Sequence, residues 1–218
     1  MRRVGIRKGE EWGSPTGSAP DLVVEGNDAD LAAAVQERPG ALVRYVPSSD
    51  SDLARTVGGS ARDVPIGTEL PMDALRVDGR LVVNSVIIGI APRSLRAWHR
   101  RRQIMLEIDG RALDLPAVTT VAVLNGQHLA GDRLLTRGHP GDGRAEVQWF
   151  AIGPSDRSKL RARLATGDHL GHPAVGQETF RELVVDAPGR RACCDGIAVP
   201  NPGRLVIRVV AAAYRLLL

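Results

Sequence analysis

The residues of this chain that could do chemistry are few and gather in its second half. His139 and Asp142 share one short loop, Gly138-His139-Pro140-Gly141-Asp142, and Asp195 stands before Gly196. An imidazole beside carboxylates can take up and return a proton near neutral pH, so His139, Asp142 and Asp195 form the candidate acid/base set. His169 and His172 are spaced for one helix face, but Gly171 and Pro173 favour a loop, and a zinc site wants four close N and S ligands. A loop-stabilising role for His139 is the plainer alternative. The vicinal Cys193 and Cys194 could be redox-active, or simply small residues at a strand end. Trp98 stands among Arg93, Arg96, Arg100, Arg101 and Arg102, where it could edge a ligand pocket or a membrane surface; a solvated basic loop is the alternative. No Ser-His-Asp order with an elbow glycine and no intact phosphate loop occurs.

Composition narrows the classes. The chain has 218 residues, 43% hydrophobic and 25% charged, which excludes a disordered chain, a collagen and a coiled coil. No apolar run is long enough to span a membrane. The N-terminal MRRVGIRKGEEWG has charge without an apolar stretch behind it, so a secretory signal is not expected. Two adjacent cysteines cannot staple a fold, and a reduced cytoplasmic setting is the expectation. The net charge is +4, nearly all the cations being arginine, and aromatics are 3%. So few stacking platforms argue against a nucleic-acid partner.

The elements that must position these residues fall into two styles. Residues 21–59 read strand, helix, strand, helix. Asp21–Glu25 is a short apolar strand, and Asp30–Glu37 a helix with Asp28 or Asp30 as capping carboxylate. Ala41–Val46 is a second strand, and Leu53–Val57 opens a helix stopped by Gly58-Gly59. This is a small α/β unit with parallel pairing. After about residue 68 the runs become β-rich: Leu75–Val77, Arg80–Ile90, Ile104–Ile108, Thr119–Leu124, Ala145–Phe150, Arg181–Val185 and Leu205–Val210. Asp78-Gly79 and Asp109-Gly110 look like hairpin turns. One helix, Ser155–Ala165, interrupts the pattern and stops near Gly167. Residues 9–19 read as the loosest stretch. The fold class expected is α/β plus β: a truncated α/β nucleotide-binding-like domain, then an antiparallel β-sandwich domain.

Segments of the second half, in order, carry a resemblance. Thr119–Phe150 resembles the strand, Asn-Gly loop, "P-x-D-D-G-x-L" turn and strand of the diacylglycerol kinase catalytic family, which is more distantly similar to sphingosine and NAD kinases. Arg163–Val175 resembles that family's "G-x-H" segment, and Asp195-Gly196 its "D-G-E" turn. The front half is more divergent. The family's "G-G-D-G-T" loop corresponds to Glu25-Gly26-Asn27-Asp28-Ala29, and its "P-x-G-T-x-N-D-x-A-R" motif to Pro47–Arg55. About 20 residues precede the first matching strand, too few for the family's opening strand and phosphate loop.

The resemblance implies ATP-dependent phosphotransfer to a lipid hydroxyl, with ATP and Mg as cofactors. It implies Gly26, Asn27, Asp28, Ser49 and Asp50 as nucleotide-binding residues, Asp142 with backbone carbonyls as a weak Mg²⁺ site opposed by Arg144, and Asn125 at the ligand pocket, where Trp98 is the candidate read from its own surroundings. The departures imply that the chemistry is impaired or lost. Ile197 stands where the family's general base would be, and Gly141 replaces the first acid of the metal turn. Glu25 and Asp50 put negative charge where phosphates would sit, a repulsion of several kcal/mol at about 4 Å near a surface. The domains expected are 1–68, rejoined by 212–218, and 69–211. The alternative is a binding protein, or a repurposed enzyme of lipid or secondary metabolism, using the cleft between domains. Partners expected are a small-molecule or lipid ligand, a peripheral membrane contact, and a second copy of the chain paired through strand edges left open by the shortening.

Overall fold

The computed structural model describes residues 12–60, 65–200 and 202–218. Its front unit is β2 (Leu22–Gly26), α1 (Asp28–Glu37), β3 (Leu42–Pro47) and α2 (Asp52–Ser60), preceded by a two-residue strand β1 (Ser14–Pro15). β2 and β3 pair in parallel, Leu22 opposite Val43 and Val24 opposite Tyr45. A parallel pair needs a crossover, and α1 supplies it. Leu31 and Val35 on α1 and Leu53 and Val57 on α2 are buried; their i, i+4 spacing puts each pair on one helix face.

The remaining strands form two sheets. The first joins β4 (Thr68–Val77), β5 (Arg80–Val82), β7 (Met105–Ile108), β8 (Arg111–Leu113), β14 (Glu182–Asp186) and β17 (Arg204–Leu217) to β1, β2 and β3. The second runs β13-β12-β9-β6-β15-β16, where β6 is Ser85–Gly89, β9 Thr120–Leu124, β12 Ala145–Phe150, β13 Val175–Phe180, β15 Ala192–Cys194 and β16 Ile197–Val199. A small hairpin, β10 (His128–Leu129) with β11 (Asp132–Arg133), stands apart. α3 (Arg157–Leu164) covers the second sheet with Leu160 and Leu164 against Phe150, Leu134 and Leu135.

β4 and β17 tie the molecule together. Their odd-numbered residues Leu75, Val77, Leu205 and Ile207 enter the core between the two sheets. Their even-numbered residues Leu70, Met72, Tyr214 and Leu216 enter the core under α1 and α2. Strand alternation thus serves two cores with one pair of strands. The end of β17 also pairs in parallel with β3, Arg215 opposite Leu42.

Four sequence expectations are corrected. Helix α1 begins at Asp28, and Asn27, not Asp28 or Asp30 alone, is its N-cap. Helix α2 continues through Gly58-Gly59 to Ser60. Residues 12–19 are not simply loop: Trp12 is buried and Ser14–Pro15 pairs with β4; residues 9–11 of that stretch lie outside the described residues. Arg80–Ile90 is not one strand. It divides into β5 and β6, which belong to different sheets.

Candidate functional site

The crossing from β5 to β6 leaves three backbone amides, of Val83, Asn84 and Ser85, pointing away from any ladder. Unpaired buried amides are costly, and Asp195 takes all three. Its Oδ2 accepts from Val83 N at 2.8 Å; its Oδ1 accepts from Asn84 N at 3.1 Å and Ser85 N at 2.7 Å. Asp195 can do this because it sits in the β15–β16 turn at φ +45°, a left-handed conformation that aspartate tolerates. Burial pushes its pKa up to about 7, against the pull of those amides.

Across from this turn lies α1, and between them is a cavity of about 360 Å³. Ala29, Ala32 and Ala33 form the helix side; Leu81, Cys194 and Ile197 face them. Arg80, Gln36 and Asp195 are its polar members. Of the expected catalytic set, only Asp195 lines this cavity.

The two stretches expected to hold nucleotide are brought together. Ser48 N donates to Gly26 O at 2.7 Å, and Ser51 Oγ donates to Asp28 Oδ1 at 2.6 Å. Asp28 Oδ2 also accepts Asp52 N and Leu53 N, at 3.1 and 3.2 Å. Asp28 is therefore the acceptor for the start of α2, and burial raises its pKa. Ser49 and Asp50 are exposed and bonded to each other at 2.7 Å. The α1 end is closed by a capping box. Asn27 Oδ1 accepts Ala29 N and Asp30 N, and Asp30 Oδ2 accepts Asn27 N at 2.8 Å. Gly26 has φ +139°, and a Cβ there would collide with the Asp30 carboxylate. The acid that fills this loop is thus Asp30, not Glu25, which is exposed at the end of β2.

The other expected residues lie elsewhere. His139 packs edge-on against Trp12, ring centres 4.4 Å apart, and burial lowers its pKa. Asp142 Oδ1 accepts Arg144 N at 3.0 Å. Next to them Asp73 accepts Gly143 N at 2.6 Å and Ala212 N at 2.9 Å, joining this loop to β17. His169 is buried and stacked on Phe150, so His139 and His169 belong to separate packing environments. Asn125 is fully buried, its amide donating to Asp73 O and Val83 O at 2.9 Å each. Trp98 is 73% exposed. Asn125 and Trp98 do not share a pocket, because one is a buried tie and the other faces solvent. Cys194 is buried, its pKa pushed up to about 12, and Cys193 is also raised; neither thiol is activated.

A magnesium ion implied by the resemblance would have Asp142 as its one carboxylate, with backbone carbonyls beside it. Among the described residues no three His, Cys, Asp or Glu side chains gather to hold a metal, and Asp142 offers one carboxylate already turned to its own loop. At α1 the Ala29 and Asp30 N–H groups that could meet a phosphate are taken by Asn27, in a loop that carries the Asp30 carboxylate.

Several groups escaped sequence reasoning. Glu146 is buried on β12 with Oε2 unpartnered, its pKa pushed up to about 8 by burial and by Asp142. The signal existed: Glu146 alternates with Gln148 and Phe150, so all three share one face. Asp73 and Arg80 gave no comparable signal.

No protein-family model matches the chain. No curated protein matches it either. Solved structures do. The chain has the fold shared by diacylglycerol kinases and NAD kinases. A diacylglycerol kinase from Bacillus anthracis str. Sterne superposes with TM-score 0.67 at 14% identity, over 90% of this chain and 76% of that one. Yeast NADH kinase, complexed with NADH, gives 0.54 at 13%, over 90% and 61%. An NAD kinase from Archaeoglobus fulgidus, in complex with ATP, gives 0.50 at 12%, over 91% and 78%. At such identities the likeness fixes the fold and leaves the reaction open. No helix among the described residues is long and apolar enough to cross a membrane.

Proposed function

We propose that this chain is a small-molecule- or lipid-binding protein built on the diacylglycerol kinase fold, with phosphotransfer lost. The carrying observation is the closed start of α1. In the resembling kinases glycines there let backbone amides approach phosphates. Here Asn27 and Asp30 satisfy those amides internally and add a negative charge. Phosphoryl transfer depends on positioning and neutralising phosphate charge, and this loop does the reverse. Two further features support the reading. Ile197 cannot accept a proton at the position of the family's general base. Asp195 spends both carboxylate oxygens on the β5–β6 crossing. The apolar cavity beside α1 is what remains usable, and its volume is in the range of small-molecule sites. In this reading α1 forms one wall of that cleft, and Arg80 and Leu81 with the β15–β16 turn the other.

The test is a thermal-shift titration with Mg·ATP beside Mg²⁺ alone and a diacylglycerol analogue alone. A ligand at 100 times its Kd stabilises by about 2.7 kcal/mol. No shift is expected with Mg·ATP at millimolar concentration. A clear shift with Mg·ATP, absent with Mg²⁺ alone, would overturn the proposal and restore the kinase reading.

A further inference from the structure

The polar groups of the α1 cavity are unbalanced in a way that selects a ligand. Its walls are methyls and short aliphatic groups: Ala29, Ala32, Ala33, Leu81 and Ile197. Three polar side chains reach it. Asp195 already accepts three backbone amides, two on Oδ1 and one on Oδ2. Gln36 Oε1 accepts from Leu81 N at 2.7 Å, which leaves its NH₂ group as a donor. Arg80 lines the cavity and makes no ion pair among the described residues. Asp78, two residues before Arg80 in the same hairpin, accepts Val206 N on its Oδ1. The cavity therefore offers donors and one cation, and its one carboxylate is already engaged by three backbone amides. A ligand that satisfies it must bring acceptor oxygens, negative charge and hydrocarbon.

We propose that the cleft binds a single-chain amphiphile with an anionic head, a carboxylate or a phosphate monoester. The head sits on Arg80, with the Gln36 amide as second donor, and the tail lies along the three alanines. Arginine suits either head because its planar fork matches two acceptor oxygens at once. Ala29, Ala32 and Ala33 recur at helical spacing with no side chain beyond Cβ, so a chain can lie against the helix. This inference rests on the binding reading above and adds the charge and shape of the ligand.

Calorimetry with dodecanoate, dodecyl phosphate, dodecanol and inorganic phosphate, each below micelle formation, tests it. At least one of the two anionic chains should bind about tenfold or more tightly than dodecanol, as a charge-assisted bond outweighs a neutral one; which of them binds tighter identifies the head. Inorganic phosphate alone should bind far more weakly than dodecyl phosphate. Arg80→Gln should bring the anionic chains down to the level of dodecanol without changing the melting temperature. Ala33→Phe, at an exposed helix position, should abolish binding of every chain while leaving the fold intact. Equal affinity for dodecanol and both anions, or an anion preference that survives Arg80→Gln, would overturn the amphiphile proposal and leave the binding reading standing. Absence of binding by every chain, together with stabilisation by Mg·ATP, would overturn both.

Discussion

Asn27 and Asp30 cap each other: the Asn27 side chain accepts the Asp30 N–H at 3.2 Å, and the Asp30 carboxylate accepts the Asn27 N–H at 2.8 Å. The pair satisfies donors that a helix start otherwise leaves to water or a ligand. Asn27 also accepts Ala29 N, so Asn27→Ala deprives two amides of their partner. The expected cost is about 1 kcal/mol, read as a lower urea midpoint with unchanged slope. The same variant should gain no stabilisation from Mg·ATP, because the Asp30 carboxylate remains in the loop. A gain would show that the cap alone had been excluding phosphate.

Asp195 looks like an acid of an active site and is placed as the clasp of a strand crossing. Asp195→Asn keeps the size but offers one acceptor oxygen, and turns an NH₂ group toward an amide donor. Buried N–H groups are left unpaired, at a cost of about 1–3 kcal/mol. The loss should appear as a lower melting temperature in the absence of any ligand. A variant as stable as the parent would show that the three amide bonds contribute little and that the carboxylate is free for other work.

These two positions show what the sequence made legible. The order β2, α1, β3, α2 could be read because Leu31, Val35, Leu53 and Val57 repeat at helical spacing beside short apolar strands. The capping box is written in Asn27 and Asp30, but the resemblance to the family's glycine loop points to Glu25 instead. The crossing between sheets at Val83–Ser85 was hidden, since Arg80–Ile90 is apolar almost throughout and both strands are buried. Asp195-Gly196 read as chemistry because the same dipeptide serves a tight turn and a catalytic motif. Gly58-Gly59 read as a stop on propensity, about 1 kcal/mol per glycine, yet α2 extends through both. Trp12 fell in a polar stretch, and only the fold puts it on His139. Arg80 and Gln36 are far apart in sequence, and only the packing of α1 over β5 sets them at one cavity.

Stability should fall as pH rises from about 6.5 to 8.5. Burial pushes Asp195 up to about 7 and Glu146 up to about 8, from ordinary values of 3.8 and 4.5. In that window the folded chain keeps protons that the unfolded chain has already released. Each group's contribution is complete below its unfolded pKa and is lost as pH rises through its folded one. Asp73, pushed up to about 6, has mostly lost its share before the window opens. His128, His139 and His169 are lowered by burial and act in the opposite sense, but below about 6.5, where the unfolded imidazole charges. Urea midpoints at pH 6.5, 7.5 and 8.5 should therefore descend. Glu146→Gln should flatten the step between 7.5 and 8.5. A rising or level series in the parent would contradict the burial of these carboxyls.

The basic loop after β6 is held from inside by an arginine. Arg157, at the start of α3, is 2% exposed. Its Nη1 donates to Arg96 O at 2.6 Å and Ala97 O at 2.9 Å, and its Nη2 to Ile152 O at 3.4 Å. Arg161 and Arg101 add bonds to Leu95 O and Ala151 O. Guanidinium groups thus serve as backbone donors where the loop has no ladder, which explains part of the arginine density without an anionic partner. Arg157→Ala should leave these carbonyls unpaired and cost about 1–3 kcal/mol. Hydrogen exchange should speed up most across Arg93–Arg102, while β9 and β12 lose only the global protection. Arg157→Lys should not restore the loop, because one ammonium cannot reproduce a planar fork spread over three carbonyls. Full recovery with lysine would show that charge, rather than the geometry of the donors, holds the segment.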